Sequence, residues 1–219
     1  MSKTDLNIVA LAICKNEETT LPRWIENVKK LASKVIILDT GSTDKSVSVA
    51  VALGAEVFES AIPSDSFSFA EARNLALNLI PLDTDWLIFT DVDEIIAEES
   101  IPNLLKEIEW ISYLADHKDV DAIAVTIRNR NDDGSIKTVA KNVNPRIIRI
   151  EEDRKYFFTG DLHEQIWNDT LDGVLPLRVI EGDKPIYIDH YGYTKEALER
   201  TGKSKMRVLL AERAVEQHP

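Results

Sequence analysis

Asp91 and Asp93, two aspartates with one residue between them, stand out as candidates for chemistry in this chain of 219 residues. They close the stretch Trp86-Leu87-Ile88-Phe89-Thr90-Asp91-Val92-Asp93-Glu94, in which a short apolar run without Gly or Pro passes directly into acid. Such a run reads as a buried strand, and the carboxyl ends of strands are where open α/β sheets bind ligands. If the backbone stays extended, residues i and i+2 point to the same side. Two carboxylates so placed repel each other unless a cation, a donor network or bulk water compensates them. A hard divalent ion, Mg²⁺ or Mn²⁺, itself bound to substrate phosphates, is the simplest compensation. A solvated acidic turn closing a strand would carry the same letters.

Four further places carry candidate groups. Asp39-Thr40-Gly41-Ser42-Thr43-Asp44 links an apolar run to a helical one. Its small residues let a ligand approach the backbone, and the following helix start favours negative charge. It has neither the lysine of a Walker loop nor the three glycines of a dinucleotide fingerprint. Thr43 or Asp44 as a helix cap accounts for two of its residues but leaves Asp39 unexplained. Asp39 could accept hydrogen bonds from a base edge or a ribose hydroxyl. Arg73, within Phe69-Ala70-Glu71-Ala72-Arg73-Asn74, is either a solvated helical arginine or a half-buried one that requires an acid or a phosphate. In His163-Glu164, followed by Ile166-Trp167, an apolar setting would suit Glu164 to accept protons near neutral pH. A surface glutamate beside a structural histidine is the plainer reading. His190 closes an Ile186–Ile188 strand, as a hydrogen-bonded structural group or as a neutral metal ligand alongside the aspartates.

Periodicity supplies the elements that must position these groups. Strands are expected at Leu6–Ile13, Val35–Leu38, Ala55–Phe58 and from Trp86, with helices from Thr19, from Ser46 to Leu53, from Phe67 to Leu79 and from Ile101 to Leu114. Leu21, Trp24, Ile25, Val28 and Leu31 share one helix face, which assigns Trp24 to the core. The face expected for the Phe67–Leu79 helix is Phe69, Ala72, Leu75, Ala76 and Leu79. The alternation of strand and helix implies a mixed α/β fold with a mostly parallel sheet flanked by helices. Beyond residue 120 come strands at 122–127 and 145–150 around an Asn131-Asp132-Asp133-Gly134-Ser135 turn, then a Gly- and Pro-dotted region and a closing helix from Thr194. The expected organisation is one domain over residues 1–219 in two functional halves.

Composition narrows the function classes. The chain has 26 basic against 38 acidic residues, a net charge of −12. That balance argues against a nucleic-acid partner, which is gripped by surplus Lys and Arg. No run is long enough to span a membrane, and the first residues lack a secretory leader's apolar region. Cys14, the single cysteine, has no internal partner and reads as a buried filler, consistent with a cytoplasmic setting.

Taken together, Lys15-Asn16-Glu17-Glu18, Leu38-Asp39-Thr40-Gly41-Ser42-Thr43-Asp44, Phe69-Ala70-Glu71-Ala72-Arg73-Asn74 and Asp91-Val92-Asp93-Glu94 resemble glycosyltransferase family 2, in the family's order. The resemblance implies a GT-A fold with a Rossmann-like nucleotide-binding half over about residues 1–100. It also implies a nucleotide-sugar donor, UDP-linked by default, and inversion at the anomeric carbon. Gly160-Asp161-Leu162-His163-Glu164 and His190-Tyr191-Gly192-Tyr193 look like a bacterial branch that often carries tetratricopeptide repeats. Carried over by position, Asn16, Glu17, Asp39 and Gly41 would line the nucleoside site. Asp91, with Val92, would face the ribose or donor sugar. Asp93 would hold Mn²⁺ or Mg²⁺, with His190 as a second ligand, and Arg73 would order the carboxylates or phosphates. Glu164 is the candidate base, with Asp161 its rival. The acceptor half would be about residues 101–219, its acceptor a glycan, lipid or polypeptide. Three other readings stay open: a Mg²⁺-dependent phosphatase of haloacid dehalogenase type, a non-catalytic nucleotide- or sugar-binding module, and a nucleotidyltransferase, which would need a basic triphosphate loop near the first strand where this chain has Lys15 alone.

Overall fold

The computed structural model describes residues 6–60, 67–113, 120–152, 154–160, 165–170, 173–176, 179–181, 184–194 and 197. Its first half alternates as the periodicity requires: β1 (Ile8–Cys14), α1 (Leu21–Val28), β2 (Lys34–Asp39), α2 (Ser46–Ala52), β3 (Glu56–Glu59), α3 (Phe69–Leu77) and β4 (Trp86–Phe89). A short strand β5 (Glu94–Ile96) and helix α4 (Ile101–Tyr113) follow. The second half is strand-rich, with β6 (Ala122–Arg130), β7 (Ile136–Arg149), β8 (Lys155–Thr159), β9 (Gln165–Thr170), β10 (Gly173–Pro176), β11 (Val179–Ile180) and β12 (Ile186–His190).

The main sheet runs β3-β2-β1-β4-β7-β6-β12-β5, with β11 added beside β6. Pairs β3·β2, β2·β1, β1·β4, β6·β12 and β6·β11 are parallel; β4·β7, β7·β6 and β12·β5 are antiparallel. The sheet is therefore mostly parallel, as expected. Because β7 runs opposite to both β4 and β6, the carboxyl end of β12 emerges at the same end of the sheet as those of β1, β2 and β4. That direction carries His190 to the aspartates.

Apolar residues cover both faces. Trp24, Ile25 and Val28 of α1 and Leu104, Ile108 and Ile111 of α4 pack on one side, and α3 packs on the other. Near-continuous burial along β1, β2 and β4 is what a sheet covered on both faces demands. Two side-chain amides finish the edges. Asn27, buried on α1, donates Nδ2 to Ile96 O and accepts from Ile96 N, both at 2.9 Å, as a neighbouring strand would. Asn74 on α3 does the same for Phe158 of β8, at 2.9 and 2.6 Å.

Several expectations change. Asp91–Asp93 is a turn between β4 and β5, not an extended continuation, and Glu94 N donates to Asp91 O at 2.9 Å to close it. The strand expected at 145–150 is the end of the longer β7, which pairs with β6 across the anticipated Asn131–Ser135 turn. Helix α3 buries Ala70, Ala72, Arg73, Ala76 and Leu77 and leaves Leu75 38% exposed. Small residues let the helix lie close to the sheet, and this rotation brings Arg73 inward in place of Leu75. A separate antiparallel sheet, β10-β9-β8, was not anticipated. The closing helix expected beyond Thr194 lies outside the described residues, apart from Thr194 and Ala197.

Candidate active site

Two loops interlock at the carboxyl ends of β1 and β2. Thr40 N donates to Cys14 O, Asn16 N to Ser42 Oγ and Thr43 N to Asn16 Oδ1, at 2.8, 2.8 and 2.7 Å. Asn16 holds φ at 55°, a left-handed conformation that asparagine tolerates better than most residues. Glu17 is buried, and its N–H donates to Ser46 Oγ at 2.7 Å. Asp39 organises its own loop. Its Oδ1 accepts from Gly41 N and Ser42 N at 3.0 and 2.8 Å, and its Oδ2 accepts from the Ser42 hydroxyl. The role left unexplained in the sequence is thus in the first instance an Asx turn. Gly41, at φ 99°, has open space where a side chain would stand.

Asp44 caps the start of α2 through Ser46 N at 2.9 Å. Burial pushes its carboxyl up, but hydrogen bonds from the Ser46 side chain and backbone and from Glu18 N outweigh it and hold the pKa below the usual value. Beneath the loops, burial pushes the Cys14 thiol up to about 12, with the charges of Asp39 and Glu17 adding to the effect.

The Asp91–Glu94 turn is held from all sides. Trp24 Nε1 donates to Thr90 Oγ1 at 2.8 Å, so this core tryptophan also fixes the end of β4. Arg73, its guanidinium 5.4 and 5.6 Å from the rings of Phe89 and Phe158, which pack edge to face on each other, donates Nη2 to Asp91 Oδ1 at 2.8 Å. Arg146 on β7 grips Glu94 with two bonds, at 2.6 and 2.8 Å. Tyr191 N donates to Asp93 O at 2.9 Å, docking the segment after β12 on the turn.

Asp93 is 2% exposed and faces His190, with Oδ1 3.7 Å from Nε2. The other ring nitrogen, Nδ1, is engaged by Asn129 Oδ1 at 2.7 Å, so Nε2 is the nitrogen turned to the carboxylate. Gly192 lies over the two: a β-carbon there would stand 2.5 Å from both Asp93 Oδ2 and His190 Nε2. This cradle, bounded by a carboxylate and an imidazole, fits a divalent cation by the chemistry of its donors. Among the described residues no group of three or more His, Cys, Asp or Glu side chains could hold a metal. Two protein donors suit an ion that completes its shell with water and substrate phosphate, the usual habit of Mg²⁺.

The structure thus brings Asn16, Glu17, Asp39, Gly41, Arg73, Asp91, Val92, Asp93 and His190 to one end of the sheet. It separates the aspartates, with Asp91 toward Arg73 and Asp93 toward His190. Val92 turns into the core. The candidate bases Asp161 and Glu164 lie outside the described residues. The sequence reading missed Arg146, Asn129 and Gly192. It also missed Arg128 and Arg130, which both bind Asp189 beside His190, at 2.7 and 2.8 Å. The signal available for the last pair was i, i+2 arginines on one face of a strand. For Arg146 it was a charge inside an apolar run. A cavity of about 410 Å³ lies at the opposite, amino end of β1 and β4, among Leu6, Asp85, Trp86 and Arg149, away from these groups.

Comparison with known proteins bears on the family and the fold. The "Glycosyl transferase family 2" family model matches residues 10–174. An uncharacterized glycosyltransferase of Rickettsia bellii is 34% identical over 127 residues, covering 57% of this chain and 40% of the relative. A TPR repeat-containing protein of Synechococcus elongatus is 26% identical over 215 residues, covering 94% of this chain and 47% of the relative. The chain thus spans less than half the length of these two curated relatives. The crystal structure of S. aureus TarS superposes with a TM-score of 0.55 at 15% identity, covering 85% of this chain and 37% of that one. The fold is of the GT-A class. With its family motifs gathered at the carboxyl ends of β1, β2, β4 and β12, the chain belongs to glycosyltransferase family 2.

Proposed function

We propose that the protein transfers a sugar from a nucleoside-diphosphate sugar, UDP-linked by family default, to an acceptor hydroxyl with inversion at the anomeric carbon. The observation that supports this reading is the meeting of Asp93, His190 and Gly192 beside the interlocked Asn16–Glu17 and Asp39–Ser42 loops. In this reading Glu17, Asp39 and the open backbone at Gly41 receive the nucleoside. Asp91, oriented by Arg73, faces the ribose or the donor sugar. Asp93 and His190 hold Mn²⁺ or Mg²⁺. When bound, the divalent ion supplies Lewis-acid stabilisation of the charge that grows on the departing diphosphate. Glu164, or its rival Asp161, takes the proton of the acceptor hydroxyl as that oxygen attacks the carbon opposite the leaving group. The acceptor class is a glycan, lipid or polypeptide. We assign about residues 1–100 to donor binding and the remainder to the acceptor. No described helix is long and apolar enough to cross a membrane.

The phosphatase reading asks Asp91 to attack phosphorus, yet Arg73 donates to its Oδ1 and so draws nucleophilicity from it. The test is calorimetric titration of UDP, GDP and CDP, each with and without Mn²⁺ or Mg²⁺, on the native chain and on Asp93→Ala. Metal-dependent binding of one nucleotide, lost in a folded Asp93→Ala, is expected. Binding of none of the three by folded native protein would overturn the donor-site reading.

A further inference from the structure

Three acids lie within four residues at the end of β4, and a turn that carries Asp91, Asp93 and Glu94 would open under its own repulsion. Glu94 does more than add to that charge. It is 4% exposed, and its Oε2 accepts from Asp91 N at 3.2 Å while its own N–H donates to Asp91 O at 2.9 Å. Side chain and backbone therefore close the turn in two concentric rings around Val92 and Asp93. Its backbone also stands opposite His190 in the β5·β12 pairing, so one residue connects both sides of the cradle. Arg146 reaches the same carboxylate from β7 with the planar fork that matches it, Nε to Oε2 and Nη2 to Oε1. The strand that carries Arg146 pairs with β4 itself, Ile88 opposite Ile147, so the fork is built on the strand that ends in the turn.

We infer that Glu94 and Arg146 are positioning residues that set the Asp91–Asp93 turn for cation binding. Arg73 neutralises Asp91 and Arg146 neutralises Glu94, while Asp93 faces the imidazole of His190 across the Gly192 cradle. The pair thereby keeps the field of the turn concentrated at Asp93 and keeps its carboxylate aimed at His190. The inference rests on the donor-site reading above and adds to it two residues that would touch neither substrate nor ion.

The variants are Glu94→Gln and Arg146→Lys. The first keeps volume and an acceptor for Asp91 N but leaves the Arg146 guanidinium without its carboxylate. The second keeps the charge but loses the fork. The readouts are the thermal melt and the Mn²⁺ concentration that half-saturates UDP binding, with UDP affinity measured separately at saturating Mn²⁺. Supporting residues of metal ligands change metal affinity by about 10- to 100-fold. We expect the half-saturating Mn²⁺ concentration to rise at least about tenfold in both variants, with UDP affinity at saturating Mn²⁺ nearly unchanged. A pair with a structural role alone would lower the melt and the amount of binding-competent protein but leave that half-saturation point where it was. A native metal requirement in either folded variant overturns the inference and leaves the donor site standing. Absence of metal-dependent UDP, GDP or CDP binding by the native chain overturns the donor-site reading and the inference together.

Discussion

Gly192→Ala is a one-carbon perturbation aimed at the cradle between Asp93 and His190. Gly192 is not among the glycines with positive φ, so alanine is compatible with its backbone. The added carbon would lie 2.5 Å from Asp93 Oδ2 and from His190 Nε2, and 3.2 Å from His190 Cε1. An ordinary contact of about 3.5 Å requires each donor atom to retreat by about 1 Å. Coordination tolerates about 0.2 Å, so the shift is several times what a bound ion permits. Neither side chain has an easy escape, because Asp93 is buried and the His190 ring is tied to Asn129. The strain falls on two side-chain ends and should cost about 1–3 kcal/mol, partly offset by about 0.4–1 kcal/mol from the stiffer unfolded chain. The expected result is a folded variant whose melt shifts by a few degrees. Its Mn²⁺ requirement for UDP binding should rise by two orders of magnitude or more. Calorimetry over a Mn²⁺ series, with circular dichroism as the folding control, reads both quantities. A folded Gly192→Ala that binds UDP at the native Mn²⁺ concentration would refute the placement of the cation between Asp93 and His190.

Two further predictions concern the frame. Cys14 has a thiol raised from its ordinary value of 9.0 to about 12, so the native state holds its proton more tightly than the unfolded state does. Its contribution to stability is complete below about pH 9 and is lost as pH rises toward 12. Denaturation midpoints should fall over that window in the native chain and less so in Cys14→Ala, and thiol reagents at pH 8 should label only unfolded protein; rapid stoichiometric labelling of native protein would contradict this burial. Asn74→Ala removes both bonds to the Phe158 backbone and should cost about 2–3 kcal/mol in urea unfolding. Asn74→Asp, which loses the donor and sets a carboxylate against Phe158 O, should be no better. A cost below about 0.5 kcal/mol for Asn74→Ala would show that β8 is held to α3 by other means.

The parts of this protein that the sequence alone determined are local. Apolar runs of strand length end in polar loops, so Asp39 and Asp91 could be placed at strand ends, and helical spacing put Trp24 in the core. Those inferences need only neighbours within a few residues and the periods of helix and strand. Even here the register of α3 escaped, since close packing of alanines on a sheet, not hydrophobicity alone, sets which face turns in. What the tertiary structure decided are pairings between distant positions. His190 meets Asp93 because β7 reverses direction between β4 and β6, which turns β12 to run with β4. Arg146 meets Glu94 because one strand register places them together, 52 residues apart. The two aspartates face different partners because a turn, closed by Glu94, replaced the extended backbone that their spacing suggested. Charge repulsion between Asp91 and Asp93 could be read from their spacing, but its relief, with Asp91 paired to Arg73 and Asp93 turned away toward His190, required the folded chain.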